Sequence, residues 1–412
     1  MVDILIADDS DAIRLVLKEI LLIGEHNVVA EATDGAEAVE FYQKHKISPV
    51  RQDISDLQSH FQRRKALYFH LGIMPNGIRD RKVLEVAPGS GHNSLYTASL
   101  EPASYTLVEP NPTGVEHIEK LYSDYPELEK NLLIKQVSIE NYESSNHFDF
   151  VFCEGMLPGH PNPLAALKRL ARLVVSGGTL VITCCDELSF LPEMLRRFLG
   201  AFLVDSENTV QEKVRLLMPI FAPHLDTIKG VSRRYDDWII DTLINPAVTG
   251  NLLSIPDAIS AIKNDFDCYG SSPHFITDWR WYKSMVGEDP NFNQVAINQY
   301  WRNAHNFIDY RDTFYPRSKT ENRLLFEICK STSVKIGKFE ITRDVCLIQE
   351  ISENLEAIEK ITGNFSKETA TAFKEFRAII SESSINKTAL KESANFASLF
   401  GRGQQYLSFI RR

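Results

Sequence analysis

The sequence predicts an α/β protein built on a doubly wound, mostly parallel sheet, with a helical insertion, C-terminal helices and a small second α/β module at the N-terminus. Three observations predict it. Between residues 80 and 186, short apolar runs alternate with stretches of helical spacing, as in a chain of β–α units. A Pro88-Gly89-Ser90-Gly91 turn joins the first of these runs to a potential helix. The next apolar run closes on Glu109, 20 residues after Gly89.

The first unit is Arg81-Lys-Val-Leu-Glu-Val-Ala-Pro-Gly-Ser-Gly-His-Asn-Ser-Leu-Tyr96. Its glycines let the backbone approach a ligand closely, and a helix N-terminus offers unpaired N–H groups. A lone Gly-x-Gly is weak evidence, since a tight strand-to-helix turn needs it too. Glu109 adds to it, because nucleotide folds place an acid about 20 residues on, where it binds ribose hydroxyls. Dinucleotide and adenosylmethionine sites share this much. Two features separate them. The third small position of the dinucleotide fingerprint is occupied here by Ser94, and Glu85 sets a carboxylate in a central strand. A buried acid needs a partner; it would repel a pyrophosphate and welcome a sulfonium and an ammonium.

At this point residues 80–186 resemble a class I S-adenosylmethionine-dependent methyltransferase with a Rossmann-like sheet. The match rests on Glu85-Val-Ala-Pro-Gly-Ser-Gly91, Val108-Glu109-Pro-Asn, Phe148-Asp-Phe-Val-Phe-Cys-Glu154 and Leu173-Val-Val-Ser-Gly-Gly-Thr-Leu-Val-Ile-Thr183, in that order. The resemblance implies that Glu85 lies near the methionine ammonium, that Ala87, Gly89 and Gly91 line the loop, and that Glu109 holds the ribose. Ala87 departs from the family's usual Gly and is expected to fit with a negative φ. Leu132 to Val137 reads as the third strand; the resemblance places Ser138 or Ile139 against the adenine, with Glu140 a further candidate. Glu154, at the carboxyl end of the fourth strand, either faces a ligand in the crevice, caps the Pro158-Gly159-His160 turn or faces solvent. Leu164 to Val175 reads as a helix, and Gly177-Gly178 turns into the fifth strand.

Residues 1–46 carry a strand at 2–7 ending on Asp8-Asp9, an amphipathic helix, a strand at Val28 to Ala32 and a second helix at Ala36 to Lys46. This resembles the first half of a response-regulator receiver, a partial flavodoxin-like βαβα unit, in which the acid pair Asp8 and Asp9 would hold Mg²⁺. The resemblance stops there. The residues before Asp53 lack the apolar strand that would place it as a phospho-acceptor, which favours a vestigial half domain. Two strands and two helices cannot bury their faces alone, so docking on the rest of the chain or on a second copy is expected.

Residues 52–72 read as a helix with Ile54, Leu57, Phe61, Leu67 and Leu71 on its apolar side, and with Arg63-Arg64-Lys65 on a solvated face. The expected division is 1–46, a donor-binding core over 47–186, a helix-rich substrate or lid region over 187–341 and a helical region over 342–412, with a short closing strand near 401–409. Within 187–341, Arg233-Arg234-Tyr235-Asp236-Asp237 reads as an ion-pair cluster. The stretch Ser271 to Lys283 offers His274, Asp278 and Tyr282 as candidates to deprotonate an acceptor, and Trp279 or Trp281 as pocket walls; packed aromatics with surface charges are the competing reading.

The formal charge of −10 argues against a phosphate-tracking surface, hence against nucleic acid as a partner. The six cysteines lack CxxC spacing and most sit in apolar contexts, as reduced thiols do. Asp3 interrupts any signal peptide and no apolar run approaches membrane-spanning length, so a cytoplasmic protein is expected. The function expected is methyl transfer to a small-molecule or sugar-type acceptor; the alternative is a phosphorelay response regulator with a methyltransferase-like output domain.

Overall fold

The computed structural model describes residues 3–7, 10, 14, 27–32, 52–205, 208–230, 233–245, 252–380 and 384–412. Strands β1 (Asp3–Ala7) and β2 (Asn27–Ala32) pair in parallel, Ala7 opposite Ala32, as a β–α–β unit requires. The acid pair Asp8-Asp9 and the helix expected at 36–46 lie outside the described residues.

The main sheet has seven strands: β3 (Lys82–Val86), β4 (Ser104–Val108), β5 (Leu132–Lys135), β6 (Phe148–Cys153), β7 (Val174–Cys184), β8 (Phe266–Ser272) and β9 (Gln405–Arg411). Their order is β5-β4-β3-β6-β7-β9-β8, parallel throughout except for β9, which runs against β7 and β8. The chain winds outward from β3 through β4 to β5, then returns to β6 on the other side. The carboxyl ends of β3 and β6 therefore flank the topological switch point, where open α/β sheets bind ligands.

Strand alternation sorts the core into two layers. Leu84, Val86, Val108, Val151, Leu180 and Ile182 belong to one cluster, with α5 (Pro163–Arg172), α6 (Glu187–Leu203) and α9 (Ile255–Ile262). Val83, Tyr105, Leu107, Phe152 and Val181 belong to the other, with α1 (Leu57–His70), α2 (Ser94–Ala98) and α3 (Pro112–Ser123). Short α4 (Pro126–Glu129) precedes β5, and α7 (Val210–Leu225) and α8 (Tyr235–Trp238) follow α6, the latter running into a π turn at Ile239–Ile244. The sequence states where several helices begin. Asn162 accepts from the Ala165 N–H with Pro163 in the first turn, and Asp186 and Ser189 close a capping box on α6.

Between β8 and β9 lie α10 (Phe292–Asn303), α11 (Lys319–Thr342), α12 (Cys346–Thr362), α13 (Lys367–Ile379), α14 (Lys387–Glu392) and α15 (Ala394–Ser398). This layout differs from the expected one. The last two strands, β8 at the edge and β9 inside it, form an antiparallel pair split by everything from residue 273 to residue 404. Phe266–Ser272 was hidden in a region that reads as helix-rich because Asp267, Gly270, Ser271 and Ser272 erase its alternation. Gly270 is needed there, since a Cβ would stand 2.8 Å from the Leu71 carbonyl at the end of α1. Where the helical region expected over 342–412 begins, α11 runs on to Thr342, Arg343 turns left-handed at φ +55°, and α12 starts at Cys346. Buried Arg196 on α6 ties the return to β9, donating to the carbonyls of Phe396, Ala397 and Leu399. Five of the cysteines are buried and Cys346 is exposed. Among the described residues, no helix is long and apolar enough to cross a membrane.

Candidate functional site

The loop after β3 is built on three left-handed residues, Ala87 (φ +58°), Gly89 (φ +61°) and Gly91 (φ +77°). The negative φ expected of Ala87 is thus overturned. Its N–H donates to the Val108 carbonyl at 2.8 Å, extending the β3–β4 ladder, and this bond fixes the turn. An L-residue held there costs about 1–2 kcal/mol. At Gly91 a Cβ would stand 3.0 Å from Ile118 of α3.

Glu109, at the end of β4, faces this loop. Its Oε2 accepts from the Gly89 N–H and its Oε1 from the Asn111 N–H, both at 2.9 Å. Asn111 in turn caps α3 through the Thr113 N–H at 3.0 Å. Burial pushes the Glu109 carboxyl up to about 7, against the pull of the two amides. Gly114, which the sequence reading passed over, makes this possible. A Cβ there would stand 2.9 Å from Glu109 Cγ and 3.1 Å from the Gly89 carbonyl. The signal was a Gly two residues into a Pro-started helix, where helix propensity argues against it.

Glu85 is 3% exposed on the α1–α3 side of β3, and the Tyr105 hydroxyl donates to its Oε2. Tyr105 is the buried partner that the sequence did not name. Burial first, then the Glu154 charge, raises the Glu85 carboxyl above the usual range. Glu154 itself neither caps the Pro158 turn nor faces solvent. It forms a bidentate ion pair with Arg64 at 2.8 and 2.5 Å, both side chains under a tenth exposed, and accepts from Asn93 at 3.4 Å. The solvated face expected for Arg63-Arg64-Lys65 therefore holds for Arg63 and Lys65 but not for Arg64. Helix α1 buries His60, Arg64 and Tyr68, a polar row at spacing four; Leu57, Phe61 and Leu67 are half-buried beside it. Tyr68 shares a 2.6 Å hydrogen bond with Thr97 and stacks on Phe152 with ring centroids 5.5 Å apart.

After β5, Ile139 is buried and its carbonyl accepts from Arg169; Ser138 is half-buried, and its carbonyl accepts from the Asn141 and Tyr142 N–H groups. Glu140 turns away to His160 at 3.0 Å, whose hydrogen bond holds its carboxyl down at about 2. Farther along, Arg233 pairs with Asp241 and Arg234 with Asp236, so that cluster is spent on internal ion pairs.

The candidates beyond β8 follow the carboxyl end of an edge strand that runs parallel to β7, with β7 and β9 between it and β6. His274 is exposed, its ring centroid 5.9 Å from that of His70. Asp278 is held by Arg280 at 2.7 Å, which keeps its carboxyl below the usual range. Tyr282 and Trp281 are largely exposed, and Trp279 is 94% exposed. These side chains are not gathered around the glycine loop as Glu109, Glu85 and Glu154 are. Among the described residues no group of three or more His, Cys, Asp and Glu could hold a metal; Asp8 and Asp9 lie outside that set.

Comparison with known proteins places these features. The chain is 46% identical over 52 residues to the chemotaxis protein CheY of Bacillus subtilis (strain 168), an alignment covering 13% of this chain and 43% of that protein. Among solved structures it is similar to PKMT2 from Rickettsia typhi in complex with AdoHcy, with 20% identity and a TM-score of 0.40 over 58% of this chain and 49% of that one. It is also similar to the N-methyltransferase NodS from Bradyrhizobium japonicum WM9, with 12% identity and a TM-score of 0.27 over 32% and 72%. The chain thus spans under half the length of its curated relative and about half that of the Rickettsia protein. Residues 57–212, from α1 across β3–β7 into α7, match the family model described as a methyltransferase domain.

Proposed function

We propose that the chain transfers a methyl group from S-adenosylmethionine to a small-molecule or sugar-type acceptor. One observation carries this reading: the buried Glu109 carboxylate, gripped by the Gly89 and Asn111 amides, stands over a left-handed glycine loop with a second buried acid, Glu85, in the strand beneath. The set suits a nucleoside that brings positive charge and no phosphate. When bound, S-adenosylmethionine supplies a methyl group already activated on a sulfonium. Glu109 keeps lone pairs for ribose hydroxyls, since each oxygen spends one on an amide. Glu85 favours the ammonium and sulfonium, whereas the charge of Glu154 is offset by Arg64, and that pair holds α1 beside the loop. Gly89 and Gly91 allow close backbone approach, and the resemblance assigns Ser138 and Ile139 to the adenine. Helix α1, locked by Arg64 and Glu154, walls one side against water.

The chain's task in an in-line displacement is to orient the acceptor and exclude water. A base is needed only if the acceptor gives up a proton, and His274, Asp278 and Tyr282 are the candidates on that side. Incubation with methyl-labelled donor and fractionated cell extract should label a small product, and Glu109→Ala should abolish the labelling. Absence of any labelled product with the wild-type chain would overturn the reading.

The likeness to CheY favours a second reading for the N-terminal module, in which Asp8 and Asp9 hold Mg²⁺ and phosphorylation governs the rest. Incubation with Mg²⁺ and acetyl phosphate followed by intact mass measurement decides it: a gain of one phosphoryl group supports the switch, and an unchanged mass removes it.

A further inference from the structure

We infer that His92 is a positioning residue that ties the glycine loop to the segment leading out of the N-terminal module. The inference rests on the proposed donor site. His92 follows Gly91 directly, and two other stretches of chain meet at it. The Gln52 N–H donates to His92 Nδ1 at 2.9 Å. Buried His60 of α1 reaches the His92 carbonyl through Nε2 at 3.1 Å. Gln52 also forms an antiparallel bridge with Arg233, ahead of α8 in the helical insertion.

The protonation states follow from the partners. His92 accepts at Nδ1, so its ring proton sits on Nε2; His60 meets a carbonyl, so its Nε2 carries hydrogen. The next residue, Asn93, donates to Glu154, so the loop is pinned on one side by the crevice ion pair and on the other by the chain at residue 52. A shift at residue 52 must therefore bend or release the backbone between Gly91 and Asn93, where the nucleoside would lie. Coupling of this kind is reciprocal: a ligand that fixes the loop also fixes residue 52.

The test uses the full chain and S-adenosylhomocysteine as probe, with affinity read by calorimetry and backbone exchange read by mass spectrometry. His92→Leu removes the acceptor, and His92→Asn presents an oxygen close to where Nδ1 stood. Loss of one neutral hydrogen bond predicts about 3- to 10-fold weaker binding for His92→Leu, with His92→Asn within about twofold of wild type on the same basis. Gln52→Pro, which removes the N–H from the other side, should reproduce His92→Leu. The probe should slow exchange in the peptide holding Gln52 to Asp56 in the wild type, and do so less in His92→Leu. Wild-type affinity in both His92→Leu and Gln52→Pro, or equal weakening by His92→Leu and His92→Asn, would overturn the inference while leaving the donor site standing. Failure of the wild-type chain to bind the probe at all would remove both.

Discussion

Ala87 holds a conformation that its Cβ opposes, and the Val108 carbonyl holds it there. Ala87→Gly relieves that strain and adds freedom to the unfolded chain, two effects of opposite sign. The first is the larger, so the variant should gain about 0.5–1 kcal/mol, read as a higher midpoint in urea. Glu109 makes the second prediction at this scale. Burial pushes its folded carboxyl up to about 7 from the ordinary 4.5, so the folded state binds the extra proton between those values. Stability is therefore present below about 4.5 and lost as pH rises through about 7. Glu109→Gln should flatten that decline in melting temperature, and an unchanged slope would contradict the burial argument. Glu85 and Glu109 were legible in the sequence because each sits at a fixed place on an apolar strand. Their partners were not: Tyr105 reads as one more strand aromatic, and Gly114 as a weak spot in a helix.

Among the elements, α1 shows what the sequence left out. Its expected apolar residues Leu57, Phe61 and Leu67 do pack, half-buried, against the core and Leu71 is fully buried, yet the helix also buries the row His60, Arg64 and Tyr68. Polar residues are buried only where partners wait, and the partners, Glu154, His92 and Thr97, come from three later segments. Removing one side of such a pair strands the other in a buried site. Arg64→Met should cost about 3–5 kcal/mol, and Arg64→Met with Glu154→Leu less than that. A double-mutant cycle in urea checks this; strict additivity of the two changes would show that the pair carries no coupling. Strand β8 was obscured for a different reason, since Asp267, Gly270, Ser271 and Ser272 erase its alternation; β9 was legible as a closing strand near 401–409, but its pairing with β8 across a long helical excursion was not.

For the molecule as a whole, the excursion makes the last eight residues structurally central. β9 lies between β7 and β8, and Leu407 and Phe409 are fully buried. Deleting residues 405–412 exposes both neighbours' edges and should yield insoluble chain or loss of the cooperative thermal transition. A truncated chain that melts like wild type would contradict the sheet order. The helices between β8 and β9, and those from α6 to α9, enlarge the body around one crevice. The chemistry proposed for that crevice depends on whether it takes a cationic nucleoside. The direct measurement is calorimetric titration of S-adenosylhomocysteine into the wild-type chain and into Glu109→Ala. The account predicts saturable binding at one site per chain, lost or severely weakened in the variant. No heat with the wild type, or equal binding by both, would contradict it.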